Sequence, residues 1–131
     1  MMQHSPTRIT LNVDVAEARD LLDRVPRSCL AFTDDTGPRA EWVAVAVRDD
    51  RYFVGLRPGT ADGTRMDQRE VVLLVDDGVQ FFDLRAVYIR GHTRPAPATT
   101  DLTPELSWWE VRPSRVVAWD YARMREVQDD P

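Results

Sequence analysis

The sequence contains no lysine, and all 17 of its basic residues are arginine. An ammonium point charge is therefore excluded from any phosphate or carboxylate site. Such a site must be built from planar guanidinium forks or backbone N–H groups. The bias matches the codon usage of a GC-rich genome, so the arginine count alone carries no functional signal. Cysteine occurs once, at Cys29, which excludes an intrachain disulfide and a thiolate zinc cage. Cys29 lies in an apolar run and reads as a buried, inert thiol. Two histidines, His4 and His92, are too few for a histidine metal centre, and no metal site is expected. A net charge of −5 provides no basic footprint for a nucleic-acid partner. No apolar run reaches the roughly 18 residues of a membrane-crossing helix. No leader with an apolar core is visible either, so the expectation is a cytoplasmic protein with no membrane partner.

The chain has 131 residues, 43% of them apolar and 30% charged, as in a soluble globular protein. One domain spans residues 1–131, with the polar residues 1–12 read as a flexible tail. Val15, Ala18, Leu21, Leu22 and Val25 recur at helical spacing, which predicts a helix. Asp14 is placed to cap it, with Glu17 three residues on, and Pro26 ends it. The period then changes to strands. SCLAFTDD is followed by turn chemistry in DDTGPR. AEWVAVAV and RYFVGL flank Arg48-Asp49-Asp50-Arg51 as a hairpin. Both faces of the first of these are apolar, which predicts a central strand covered on both sides. EVVLLVDDG, FFDLRAVYIRGHTRPA and RPSRVVAWDYARM follow as strands, the last running toward a short helix, while LSWWEV is ambiguous. Trp108 and Trp109 are adjacent, so in an extended segment they face opposite ways. The paired aspartates 34–35, 49–50 and 76–77 fall at turns and read as turn formers, not as an acid/base dyad. About six hairpin-linked strands behind one helix predict an antiparallel barrel or sandwich.

The order and spacing of CLAFTDDTGPR, WVAVAV, RYFVGLRPGT, VVLLVDD, FFDLRAVYIRGHTR and WEVRPSRVVAWD resemble the pyridoxamine 5′-phosphate oxidase-like flavin-binding split barrels. The likeness spans residues 15–120. It implies an all-β, six-stranded antiparallel split barrel with an N-terminal helix, paired as a homodimer with cofactor sites at the interface. It also implies FMN or the deazaflavin coenzyme common in actinobacteria, and oxidoreductase chemistry on a small-molecule substrate by hydride transfer. A non-catalytic or cofactor-free split barrel that binds a small molecule or serves a biosynthetic pathway is the alternative.

Carried over position by position, the resemblance assigns Arg39, Arg57, Gly59 and Thr60 to the cofactor phosphate, with Arg65 as a further candidate. Guanidinium forks, a hydroxyl and a small residue that admits backbone N–H groups suit a phosphate. Trp42 falls where family members pass the flavin ring, and Trp119 where they reach the cofactor of the other subunit. One departure stands out: Ala61 and Asp62 occupy the place of the family's lysine-containing loop. The sequence assigns no catalytic acid or base, and it does not name the substrate or the electron donor.

Overall fold

The computed structural model describes residues 8–10, 12–60, 65–97, 101–123 and 125–127. Two short strands open it, β1 (Arg8–Thr10) and β2 (Asn12–Val13), where the sequence reads as a polar tail. They are ordered by pairing rather than by their own pattern. β1 pairs with β10 (Arg125–Val127), and β2 with β9 (Ser107–Asp120).

The predicted helix forms in two pieces. Val15–Ala18 is a single 3-10 turn, and α1 (Arg19–Arg24) continues it. Asp14 caps the start by accepting the Ala16 N–H at 3.1 Å. Val25 ends the helix in the left-handed region at φ 46°, where only Gly is at ease, and Pro26 then prevents continuation. Ala18, Leu21 and Leu22 are buried and plug the barrel, which is what their spacing predicts.

The remaining strands are β3 (Arg27–Asp34), β4 (Gly37–Trp42), β5 (Ala44–Arg48), β6 (Arg51–Leu56), β7 (Glu70–Asp77) and β8 (Arg85–Pro95). All pairings are antiparallel, in the order β4-β3-β7-β8-β9-β6-β5. β4 and β5 lie at the two ends of this order yet are separated in the chain only by Val43. The chain itself therefore carries the sheet round from one edge to the other and closes the barrel. This is why seven strands replace the six expected, since the single predicted strand AEWVAVAV breaks at Val43 and pairs on two different sides. It also corrects the expectation of a central strand covered on both faces. β5 ends the order, with Val45 and Val47 packed on the core and Ala44 and Ala46 half-exposed outside.

Two further boundaries differ. β8 begins at Arg85, because Phe81–Asp83 forms a 3-10 turn in which Asp83 accepts the Val79 and Gln80 N–H groups. The ambiguous LSWWEV supplies, from Ser107 on, the opening of the 14-residue β9. It gains strand partners on both sides, in β6 and β8. Trp109 packs on the core, while Trp108 turns outward and donates its indole N–H to the Thr103 carbonyl at 2.7 Å. The hairpin at Asp49–Asp50 has both residues at positive φ, the type I′ geometry that matches strand twist.

Leu30, Val54, Leu73, Val75, Val87, Ile89 and Val111 are fully buried inside the barrel. The register then decides what the outside presents, because directly paired residues share a face. One row across the outside reads Trp42, Cys29, Leu74, Tyr88, Val117. The next reads Ala40, Ala31, Val72, Arg90, Arg115. Cys29 is thus half-buried on the outer face, not in the core, and desolvation raises its pKa, which keeps it a thiol.

Candidate functional site

An open groove of about 710 Å³ runs where β3, β4 and β7 end. Ala31, Phe32, Pro38, Val71 and Val72 give it an apolar floor, and the turn 65–69 walls one side with Arg65, Asp67, Gln68 and Arg69. The size falls within the roughly 300–1,000 Å³ typical of small-ligand sites.

The wall exists because residues far apart in sequence meet there. Thr93, near the end of β8, is 1% exposed. Its hydroxyl donates to the Met66 carbonyl and accepts the Arg69 N–H at 3.1 Å. Its backbone N–H donates to the Arg69 carbonyl at 2.9 Å, and its own carbonyl accepts the Gln68 N–H at 2.7 Å. Gln68 itself sits at φ 57°, a left-handed conformation that the surrounding bonds must hold.

The groove arginines fall into two electrical states. Arg39 is neutralised: Nη1 donates to Asp34 at 3.1 Å, Nε and Nη2 to Glu41, and Nη2 also to the Thr60 carbonyl at 2.6 Å. Its guanidinium also lies over the Phe32 ring, 5.3 Å from the centroid. Asp34 is held down to about 2, first by the Thr36 hydroxyl and backbone N–H it accepts and then by Arg39. Arg65 and Arg69, by contrast, make no ion pair among the described residues. Asp67, in the same wall, makes no ion pair among the described residues, and Glu70 at the groove edge is taken by Arg90.

Arg39 and Arg65 line the same groove. Arg57, Gly59 and Thr60 form the turn after β6, where the Thr60 N–H donates to the Arg57 carbonyl at 3.1 Å, and Gly59 takes φ 87°. That turn touches the groove wall through the Thr60–Arg39 bond. Ala61 and Asp62 lie outside the described residues. Trp42 stands on the outer face, 70% exposed. Trp119 lines a separate pocket of about 140 Å³ with Leu74, Asp76, Leu84, Arg85, Ala86 and Tyr121, at the other end of the outer face. On one chain, neither tryptophan lines the groove.

Sequence reading missed Arg69, Asp67 and Thr93. The available signal was weak: a turn of polar residues directly before a strand, and a threonine on the inward parity of β8. His92, paired with Glu70 across the strands, is exposed on the outer face. Among the described residues no cluster of side chains suits a metal ion, and no helix is long and apolar enough to cross a membrane.

No family model and no curated protein matches the chain. Solved structures do. A FAD-binding protein from Mycobacterium smegmatis superposes with a TM-score of 0.65 at 17% identity, over 91% of this chain and 99% of that one. A FAD-binding protein from Mesorhizobium loti gives 0.61 at 16% identity, over 95% and 99%. A heme-binding protein from Mycobacterium smegmatis gives 0.63 at 14% identity, over 88% of this chain and 58% of that one. At these identities the likeness is one of architecture, and it agrees with the strand order and closure described above. The chain has the split-barrel fold.

Proposed function

We propose that the chain is a divergent pyridoxamine 5′-phosphate oxidase-like protein whose groove holds a flavin or deazaflavin cofactor for reduction of a small organic molecule. The observation that carries this reading is the pairing of an apolar floor with two guanidinium groups, Arg65 and Arg69, that no carboxylate among the described residues neutralises. A flat ring with an anionic tail needs both features. The residues present therefore fit such a group.

When bound, the cofactor supplies the hydride chemistry. The chain's own part is to hold the anionic end through Arg65 and Arg69, with Arg57 and Thr60 in the adjoining turn. It also lays the ring against Ala31, Pro38 and Val72 and keeps water from that surface. Arg39 serves here by bracing: it ties the Thr60 carbonyl to β4.

The same reading includes a homodimer. The outer row of Trp42, Cys29, Leu74, Tyr88 and Val117 is largely apolar, with Trp42 exposed and the other four half-buried. Pairing through this face would cover it. It would also let Trp119 of one copy approach the groove of the other, which a single chain does not achieve.

A second reading, a cofactor-free split barrel that binds an uncharged small molecule, draws on Asp67 in the groove wall and on Ala61 in place of the family's lysine. The absorbance spectrum of purified protein, followed by titration with FMN, FAD and the deazaflavin coenzyme, separates the two. The first reading predicts a flavin or deazaflavin band, or saturable binding of one cofactor in the micromolar range or tighter. A colourless protein indifferent to all three refutes it.

A further inference from the structure

We propose that Arg69 is the anion anchor of the groove and that buried Thr93 is its positioning residue, an inference that rests on the cofactor reading above and goes beyond it. The Arg69 guanidinium is oriented by two backbone carbonyls: Nε donates to Arg65 O at 2.9 Å and Nη1 to Thr33 O at 2.8 Å. Carbonyls fix the plane of the fork without cancelling its charge. The Nη2 edge makes no hydrogen bond to the described residues, and Arg69 lines the groove. A pre-oriented cation with an unspent edge is what bidentate recognition of a phosphate or carboxylate requires. The Arg65 side chain is exposed and makes no hydrogen bond or ion pair to the described residues, so it must surrender rotamer freedom on binding. Arg39 has its donors committed to Asp34, Glu41 and the Thr60 carbonyl.

Thr93 enters through the backbone. Hydrogen bonds tie it to Met66, Gln68 and Arg69, through its hydroxyl at the 66–69 turn and through its main-chain N–H and carbonyl. A turn containing a left-handed Gln68 does not hold this shape unaided, since that conformation costs about 1–2 kcal/mol for an L-residue. Removing only the hydroxyl frees the Met66 carbonyl and loosens the Arg69 N–H, while the main-chain bonds keep the strand in place. The anchor then loses its fixed position without loss of the barrel.

The test compares a cofactor with its phosphate-free chromophore. FMN and riboflavin are titrated against wild type, Arg69→Gln, Arg69→Lys, Thr93→Val and Thr93→Ser. If only the deazaflavin coenzyme or FAD binds, that cofactor and its phosphate-free chromophore replace the pair. The expected result is a wild-type preference for the phosphorylated form of about tenfold or more, from one charge-assisted bidentate contact. Arg69→Gln and Thr93→Val should lower that ratio severalfold while riboflavin affinity is kept, the remainder being carried by Arg65. Arg69→Lys should restore it poorly, because an ammonium lacks the fork, and Thr93→Ser should restore it well. Partial unfolding lowers both affinities together and leaves the ratio alone, so the ratio reads position, not stability. A ratio unchanged in Arg69→Gln, or a wild type that binds both forms equally, overturns the inference and leaves the cofactor reading standing. Failure of wild type to bind any of these cofactors overturns the cofactor reading itself.

Discussion

Arginine is used in opposite ways at the two ends of the β7–β8 pair. At one end Arg24 meets Asp20 and Asp77, Arg27 meets Asp76 and the Gly78 carbonyl, and Arg85 meets Asp20 and Asp120. Every cation there has a carboxylate, and the network straps α1 to the barrel mouth. At the groove end Arg65 and Arg69 have none among the described residues. The same residue type in the same all-arginine chain is a fastener throughout one end, while at the other Arg39 and Arg90 are paired and Arg65 and Arg69 keep an unspent charge. What separates them is neutralisation, which composition cannot report. The Arg51–Glu110–Arg94 cluster on β6, β8 and β9 belongs with the first kind, with Glu110 only 5% exposed beneath two arginines.

The comparison can be broken in several places. The largest effect is expected from Trp42→Glu, which puts a charge into the apolar outer row. If that row is the proposed dimer interface, dimer affinity should fall by a factor of about 100 or more, as for loss of a central aromatic anchor, with the monomer's fold retained by circular dichroism. Equal dimer affinity in sedimentation would remove that face from the interface.

Arg65→Glu should weaken cofactor binding by roughly tenfold to a hundredfold while unfolding free energy moves by no more than about 0.5 kcal/mol. Asp20→Asn should do the reverse. It costs about 1 kcal/mol of stability, since its partners are partly exposed, and leaves cofactor affinity unchanged. If both variants alter both readouts, the two ends are not separate.

The fastener class also has a pH signature. The carboxyl of Glu110 is pulled from 4.5 to about 2, first by its hydrogen bonds from Arg51 and against the opposing effect of burial. A depressed folded-state value means that Glu110 contributes fully above the unfolded value. The contribution is then lost as pH falls from 4.5 toward 2. Denaturant titrations across that interval should show a smaller pH slope for Glu110→Gln than for wild type. Parallel slopes would show that the cluster does not differ between folded and unfolded chains. The smallest effect is expected at Asp67, the groove wall's own carboxylate. Asp67→Asn should tighten FMN binding about twofold to fivefold by removing a like charge, and a weakening would mean that Asp67 contacts the ligand as an acceptor.

Much of the fold was legible because it rests on local chemistry. The Asp14 cap and the Asp49–Asp50 turn follow from residue type and spacing alone. The break at Val43 was not legible, because AEWVAVAV alternates without interruption. Only the closure of the sheet makes its two halves pair on different sides. LSWWEV was ambiguous for the same reason, since its strand state comes from β6 and β8 and not from its own pattern. At the site, sequence order led to Arg39 and Arg65, which do share the groove, but gave no hint that Asp34 and Glu41 neutralise the first. Arg69 and Thr93 lie 24 positions apart, and only the β7–β8 register brings them together. No spacing rule reaches that far.

The central claim is that an anionic planar cofactor occupies the groove of a paired barrel. Sedimentation velocity of the protein mixed with FMN, FAD or the deazaflavin coenzyme, recorded at the chromophore's own absorbance, tests it directly. The account predicts that the chromophore of at least one cofactor travels with a species of about twice the 15.0 kDa chain. Chromophore left wholly at the free-cofactor boundary, above a colourless single-chain species, would contradict it.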